Sequence, residues 1–361
     1  MTPRTTPHHL TEHQHAIIGC GRVAANHVDG IRRVPGWGLA VACDRIPEVA
    51  ADFARDHLIA RTMADAQEVF AAPEISSVSV TVDHAQHAEL TERALLAGKH
   101  VLVEKPICLD PAEGRRLVAL AEHRGLVLSV VAQHRYDPVV LAVRDWVRRG
   151  LLGELLQVSV ALQAARAKDY YQDSYWRGTL TGEGGSALVN QGYHCLDAVR
   201  WICGDVRAVA ASCRTVAFAD VIETEDTLSG LLAAGPVPVT LNVTVAGRIE
   251  WRSRIEVVGT AGSVVFDLDH PGRLQRFDGS AELVRLAELE QSRTPTEAPA
   301  GLSYYGVSHR AQIADFCHGV ATGEPMLSSA GDAVGTLEAI LALYALGGRR
   351  QPAAALTALS A

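Results

Sequence analysis

Within LVNQGYHCLDAVRWICG, residues 188–204, Asn190, His194 and Asp197 are spaced four and three apart. On a 3.6-residue period that spacing puts an amide, an imidazole and a carboxylate in one narrow stripe. Leu188, Val189, Leu196, Val199 and Ile202 make the rest of the segment good core material. An imidazole titrating near pH 6.5 can take and return a proton. An asparagine cannot, although it can hold a hydroxyl. Tyr193 falls on another helical face and is expected in the core.

A second group is G-C-G-R-V-A, Gly19 to Ala24, directly after the apolar run HAIIG and before a helical pattern. This is the dinucleotide fingerprint G-x-G-x-x-A, with Ala24 in the third glycine's place. Gly19 permits the tight turn, and Gly21 lets the backbone approach a pyrophosphate. The helix N-terminus supplies unpaired N–H groups and partial positive charge. A second apolar run, Leu39–Cys43, closes at Asp44, where the ribose-binding acid belongs. A carboxylate there accepts from ribose hydroxyls and repels a 2′-phosphate, which favours NAD. Arg45 could pair with that phosphate, so NADP is the alternative. A plain helix cap is the competing reading of Asp44.

The third group is AGKHVLVEKP, residues 97–106. Pro106 restricts Lys105 to extended backbone and makes a cis bond accessible. A lysine held at the C-terminal end of a parallel strand points into the ligand crevice. A surface lysine beside a turn is the bland alternative. Only Lys99, Lys105 and Lys168 among the 33 basic residues are lysine. That bias suggests a GC-rich coding sequence in which a retained lysine is needed for its compact, tunable charge.

GCGRVA, AGKHVLVEKP and GGSALVNQGYHCLDAVRWICG, in that order, closely resemble the Gfo/Idh/MocA family of oxidoreductases. HAEL (87–90), QHRYDP (133–138), VVGTAGSVVF (257–266) and QIADF (312–316) resemble its further landmarks, so the likeness covers nearly the whole chain. The resemblance implies a Rossmann domain, then an α+β domain whose sheet often mediates oligomers. It also implies NAD(P)-dependent chemistry on sugars, cyclitols or their derivatives. Carried over, His194 is the acid/base and Lys105 hydrogen-bonds the carbinol oxygen. The cofactor-binding set is Gly19, Cys20, Gly21, Arg22, Val23, Asp44, Arg45, Thr81, His87, Glu104 and Lys105. Two positions depart from the pattern: Asn190, where related dehydrogenases often have aspartate, and Asp83, where proline is common. Asp197 either orients His194 or packs structurally.

The stretch RAKDYYQDSYWRGTLTGEGG, residues 166–185, is rich in aromatic and basic residues. Such loops bind polyhydroxylated ligands, with aromatic faces on ring C–H groups and cations on hydroxyls. Lys168, Tyr171 and Arg177 are the substrate candidates here, with Asn190 and His194; Trp176 is read as structural and Arg135 as bracing the domain junction. No dense arginine cluster is present, so a free sugar, cyclitol or aminoglycoside suits the loop as well as a nucleotide-sugar.

The elements that must position these groups read as two halves. From 15 to 134, short apolar runs alternate with helical patterns, which means βαβ units and a parallel sheet. From 135 to 361, longer period-two runs at 155–163, 206–216, 226–233, 237–247, 253–258 and 262–267 predict a large, open, mainly antiparallel sheet with helices on one side. Helices are expected at 138–150, 186–203, 306–322 and 330–346, and a surface loop at 280–300. Residues 1–14 read as a disordered tail.

The chain has 361 residues, 48% apolar and 20% charged, with net charge −8. This is a globular balance without the basic block that nucleic acid requires. Apolar stretches are too short or interrupted to span a bilayer. Seven scattered cysteines without a C-x-x-C pair suggest a reducing cytoplasm, and no metal site is expected. The resulting expectation is a cytoplasmic homodimer or homotetramer that moves hydride from a ring hydroxyl to NAD, in aminoglycoside or other antibiotic-sugar assembly. The rivals are an NADPH-dependent keto-sugar reductase, a glycoside hydrolase with a transient redox step, and a non-enzymatic dinucleotide-binding regulator.

Overall fold

The computed structural model describes residues 13–269, 272–293 and 306–348. The first half runs β1 (His13–Ile18), α1 (Ala24–Arg32), β2 (Trp37–Cys43), α2 (Pro47–Asp56), β3 (Arg61–Met63), α3 (Ala66–Ala71), β4 (Ile75–Val80), α4 (His87–Leu96), β5 (His100–Val103), α5 (Pro111–Arg124) and β6 (Leu128–Val130). All six strands are parallel, in the order β3-β2-β1-β4-β5-β6. This is the strand order of a dinucleotide-binding doubly wound fold, whose ligand crevice opens where the order reverses, between β1 and β4. Residues 1–12 of the expected tail lie outside the described residues. His13 and Gln14 instead begin β1, and His13 stacks on Trp37.

Local sequence sets several element ends. Pro47, Pro111 and Pro138 occupy the first turns of their helices, where no N–H bond is lost. Asp110 caps α5 through Ala112 N at 2.8 Å, and Gly125 ends it at φ +62°.

The second half runs α6 (Pro138–Arg148), β7 (Leu155–Gln163), α7 (Lys168–Gln172), α8 (Tyr193–Cys203), β8 (Val206–Arg214), β9 (Thr227–Ala234), β10 (Val237–Thr244), β11 (Arg252–Gly259), β12 (Gly262–Phe266), β13 (Leu274–Gly279), α9 (Ala281–Arg293), α10 (Gly306–Thr322) and α11 (Ala330–Leu346). Its seven strands lie in the order β13-β12-β11-β7-β10-β9-β8, antiparallel except for the central β7–β10 pair. In β10 the residues Val237, Val239, Leu241 and Val243 are buried while Pro238, Thr240 and Asn242 are exposed. One face of the sheet therefore carries the core and the other is open.

Two expectations need correction. Residues 281–293 form α9 rather than a loop: Leu283 and Ala287, four apart, are buried among strong helix formers. Residues 294–300 lie outside the described residues. The segment 187–192 is a π-type turn that runs into α8, not regular α-helix. α10 also crosses back to the first sheet. Ile313 packs so closely on Gly30 of α1 that a Cβ there would meet Ile313 Cδ1 at 2.4 Å. Gln312 donates to Val130 O at 2.8 Å.

Candidate active site

A crevice of about 550 Å³ opens at the C-terminal ends of β1, β2, β4 and β5 and runs beneath the 170–177 segment. Gly19, at φ +93°, turns the chain there, and a Cβ on it would lie 2.8 Å from Thr81 O. Only glycine fits such a position. Gly21 is different, because a Cβ on it would meet nothing within 4 Å. Its open side faces the crevice, with Arg22 and Val23 beside it. Thr81 Oγ1 donates to Gly19 O at 2.6 Å and holds the turn. Cys20 buries its thiol and contributes its backbone N–H, which donates to Asp44 Oδ2 at 3.0 Å. Asp44 Oδ1 accepts from Ile46 N at 3.0 Å. The carboxylate thus closes the β2 turn and still lines the crevice with lone pairs to offer. Arg45 lies over the Tyr175 ring at 4.6 Å. The open face at Gly21, the helix start and the acid ending β2 fit a dinucleotide.

Glu104, Lys105 and His87 form the next wall. The Lys105–Pro106 bond is cis. His87 Nδ1 donates to Pro106 O at 2.6 Å, and its Nε2 lies 3.1 Å from Val82 O. Its role is to fix the Lys-Pro corner. Behind it runs a buried chain from Ser77 through His15, Ser79 and His27 to Glu104, with links of 2.7, 2.8, 2.8 and 3.2 Å. Burial pushes the imidazoles of His15 and His27 down, His15 to about 3. Two neutral imidazoles pass hydrogen bonds in one direction along this chain and end on an anionic Glu104. Burial opposes that charge, but the bond from His27 and the nearby His309 ring, 3.6 Å away, hold the carboxyl well below the usual range.

Lys105 Nζ donates to Asn190 O at 2.8 Å and to Asn190 Oδ1 at 3.1 Å. Burial lowers its pKa to about 8, with Glu104 and Glu183 opposing and Arg166 adding to the effect. Asn190 Nδ2 donates to Glu183 Oε1 at 2.5 Å. Glu183 is buried and also accepts from Gly178 N and Ser186 Oγ, at 2.7 and 2.5 Å. Burial raises its carboxyl.

His194 reaches the crevice one turn beyond Asn190. Its ring packs edge-on against His134, with centroids 5.1 Å apart. Its Nδ1 is buried without a hydrogen-bond partner. Burial, then His134, then Lys105 push its pKa well below the ordinary value, so the imidazole is neutral.

Among the described residues, Asp197 bonds Arg135 and Thr336 and not His194. It accepts both Nε and Nη2 of Arg135 at 2.7 Å and Thr336 Oγ1 at 2.9 Å, so it packs structurally and Arg135 braces the junction. The stripe of three is split: Asn190 and His194 face the crevice and Asp197 faces Arg135.

Two substrate candidates lie elsewhere. Tyr171 is buried against Tyr170 and Phe218 in the core, and Lys168 is at the surface, 2.5 Å from Asp220. The cause is α7: successive helical residues point about 100° apart, so Tyr170 faces the crevice when Tyr171 faces the core. Arg177 and Trp176 do line the crevice, and Trp176 packs on His84 at 4.9 Å. Tyr170, Tyr175, Gln133, Gln191, Trp251 and His309 also line the crevice and are not among the residues the sequence predicts for it. Tyr170 sits on the five-residue α7, too short for a periodic pattern to mark it. His309 comes from distant α10, and no local pattern marks it. The unusual Asp83 is buried and bonds Gln86 and Tyr175, tying the 170s loop to the first domain. A larger groove of about 980 Å³ between α5 and α11 contains none of the fingerprint residues.

Two family models match this chain. Residues 14–132 match an oxidoreductase family with an NAD-binding Rossmann fold, and residues 140–265 match the GFO/IDH/MocA C-terminal domain. D-apiose dehydrogenase of Paraburkholderia graminis is 27% identical over 91% of this chain and 86% of its own length. Levoglucosan dehydrogenase of Pseudarthrobacter phenanthrenivorans is 25% identical over 65% and 66%. Among solved structures, the WlbA dehydrogenase of Bordetella pertussis, in complex with NADH and UDP-GlcNAcA, superposes with a TM-score of 0.82 at 22% identity, covering 95% of this chain and 97% of that one. GenD2 from gentamicin A biosynthesis, in complex with NAD, gives 0.75 at 24% identity, over 96% and 97%. At these identities the structural likeness is one of fold.

Proposed function

The chain belongs to the Gfo/Idh/MocA family of NAD-dependent oxidoreductases, and from that premise we propose that it oxidises a secondary ring hydroxyl of a sugar, cyclitol or aminoglycoside, with His194 as acid/base and Lys105 as donor to the reacting oxygen. One observation carries this reading. Lys105, from the end of β5, and His194, from α8, line one crevice with the glycine turn, and Lys105 reaches the backbone one turn before His194. Bound NAD would supply the hydride acceptor. Gly19 to Val23, Asp44 and Thr81 would hold it. The neutral imidazole of His194 takes the hydroxyl proton. The Lys105 ammonium donates to the oxygen as negative charge develops there, a kind of contact that contributes about 3 kcal/mol in other enzymes. Asn190 keeps Lys105 aimed and offers its amide to a substrate hydroxyl.

The sugar substrates in the names of the apiose and levoglucosan enzymes support the substrate class, and the gentamicin-pathway neighbour supports including aminoglycosides. Assembly as a homodimer or homotetramer through the open sheet face belongs to the same proposal, supported by exposed Val209 and Leu231 on β8 and β9. No described helix is long and apolar enough to cross a membrane.

The test is a panel of sugars, cyclitols and aminoglycosides with NAD, followed by absorbance of the reduced cofactor. Lys105→Met and His194→Asn should each lower kcat/KM by roughly 10²–10³ while NADH still binds. Full activity in both variants would overturn the assignment.

A further inference from the structure

Arg177 is a half-buried guanidinium in the crevice wall. It lies over the Tyr170 ring at 4.4 Å and beside Trp176 at 5.2 Å. Its Nε is buried and has no hydrogen-bond partner. Among the described residues, no carboxylate lies within ion-pairing distance of it. The nearby charges are otherwise engaged. Arg166 donates to Gln191 Oε1 and Ala165 O, and Lys105 holds Asn190. Glu183 sits behind Asn190, and Asp83 bonds Gln86 and Tyr175.

Resting on the dehydrogenase reading above, we infer that Arg177 is an anion subsite and that the substrate carries a carboxylate on the ring being oxidised. A guanidinium fork matches the two oxygens of a carboxylate, and aromatic faces hold it without neutralising it. A phosphate, nearer two charges at neutral pH, calls for a second cation beside the guanidinium, whereas Arg166 bonds Gln191 and Lys105 bonds Asn190. The contacts also place the subsite. The Tyr170 ring carries Arg177, while its hydroxyl lies 3.4 Å from Asn190 Nδ2, whose Oδ1 meets Lys105. The Tyr170 side chain therefore touches both the guanidinium and the Asn190–Lys105 pair, which puts the anion subsite on the same crevice wall as the reacting centre. The substrate class is then a sugar acid or carboxylated cyclitol.

The experiment uses the NAD-loaded enzyme with matched ligands on one ring: the uronate, its methyl ester, the neutral sugar and the 6-phosphate. Turnover and the melting-temperature shift on ligand addition are both read. The carboxylate should exceed the neutral partners by about ten- to hundredfold in kcat/KM, mainly through KM. Arg177→Gln should bring that ratio below about threefold, and Arg177→Lys should retain part of it. NADH titration by fluorescence, unchanged in both variants, verifies that they fold. Equal or better use of neutral ligands, preference for the phosphate, or an unaltered ratio in Arg177→Gln each overturns the inference. If nothing in the panel is oxidised although NADH binds, the dehydrogenase reading fails for these rings. The anion subsite is then decided by whether the carboxylate raises the melting temperature of wild type but not of Arg177→Gln.

Discussion

Asn190 gives its Nδ2–H to Glu183 and turns its Oδ1 toward Lys105. An aspartate there would have no N–H to give and would set a second carboxylate 2.5 Å from a buried one. Asn190→Asp should therefore destabilise the protein by about 1–3 kcal/mol, and Glu183→Gln in the same chain should recover most of it. Melting temperatures of the two variants without cofactor test this coupling. The same centre predicts a pH profile. The Lys105 ammonium is lost as pH rises through about 8, whereas His194 stays neutral until well below 6.5. For the free enzyme, kcat/KM should be flat from mildly acidic pH to 7 and fall above about 8. Lys105→Arg, charged at every accessible pH, should slow the reaction and remove the falling limb. A profile that climbs through pH 8 in wild type would contradict the role given to the ammonium.

At the scale of elements, the two glycines of the β1–α1 turn make separable predictions. Gly19→Ala meets both positive φ and the Thr81 carbonyl, so it should lower the melting temperature by several degrees. Gly21→Ala meets no protein atom. It should melt within about one degree of wild type and weaken NADH binding at least about tenfold. Fluorescence titration and thermal melts on both variants separate these effects.

Legibility followed the same physics. Helices 47–56, 111–124 and 330–346 and strand 155–163 are readable to the residue: proline starts mark the first two, and apolar runs mark the other two. β13, with mostly exposed side chains, and the five-residue α7 gave no pattern to read. The glycine turn, Asp44 and Lys105 were legible because local backbone demands fix their residue types. His309, Gln133 and Trp251 were not, because only tertiary folding brings them to the crevice.

Over the whole molecule, Arg135 ties α8 and α11 to the domain junction through Asp197 and Asp332. Arg135→Met would leave Asp197 buried without its charge partner, with a cost of about 3–5 kcal/mol. Urea unfolding should report that loss. Asp332→Asn should cost far less, since its carboxylate is about half exposed.

The return of α10 to the first sheet has a consequence during synthesis. Ile31, Trp37, Leu102 and Val131 share one apolar cluster with Ile313, Phe316 and Cys317. While the ribosome is still making the second half, the first four lack the cover that α10 gives them. A nascent fragment ending near residue 134 would present a greasy patch and invite chaperones or aggregation, and only a nearly finished polypeptide can seal it.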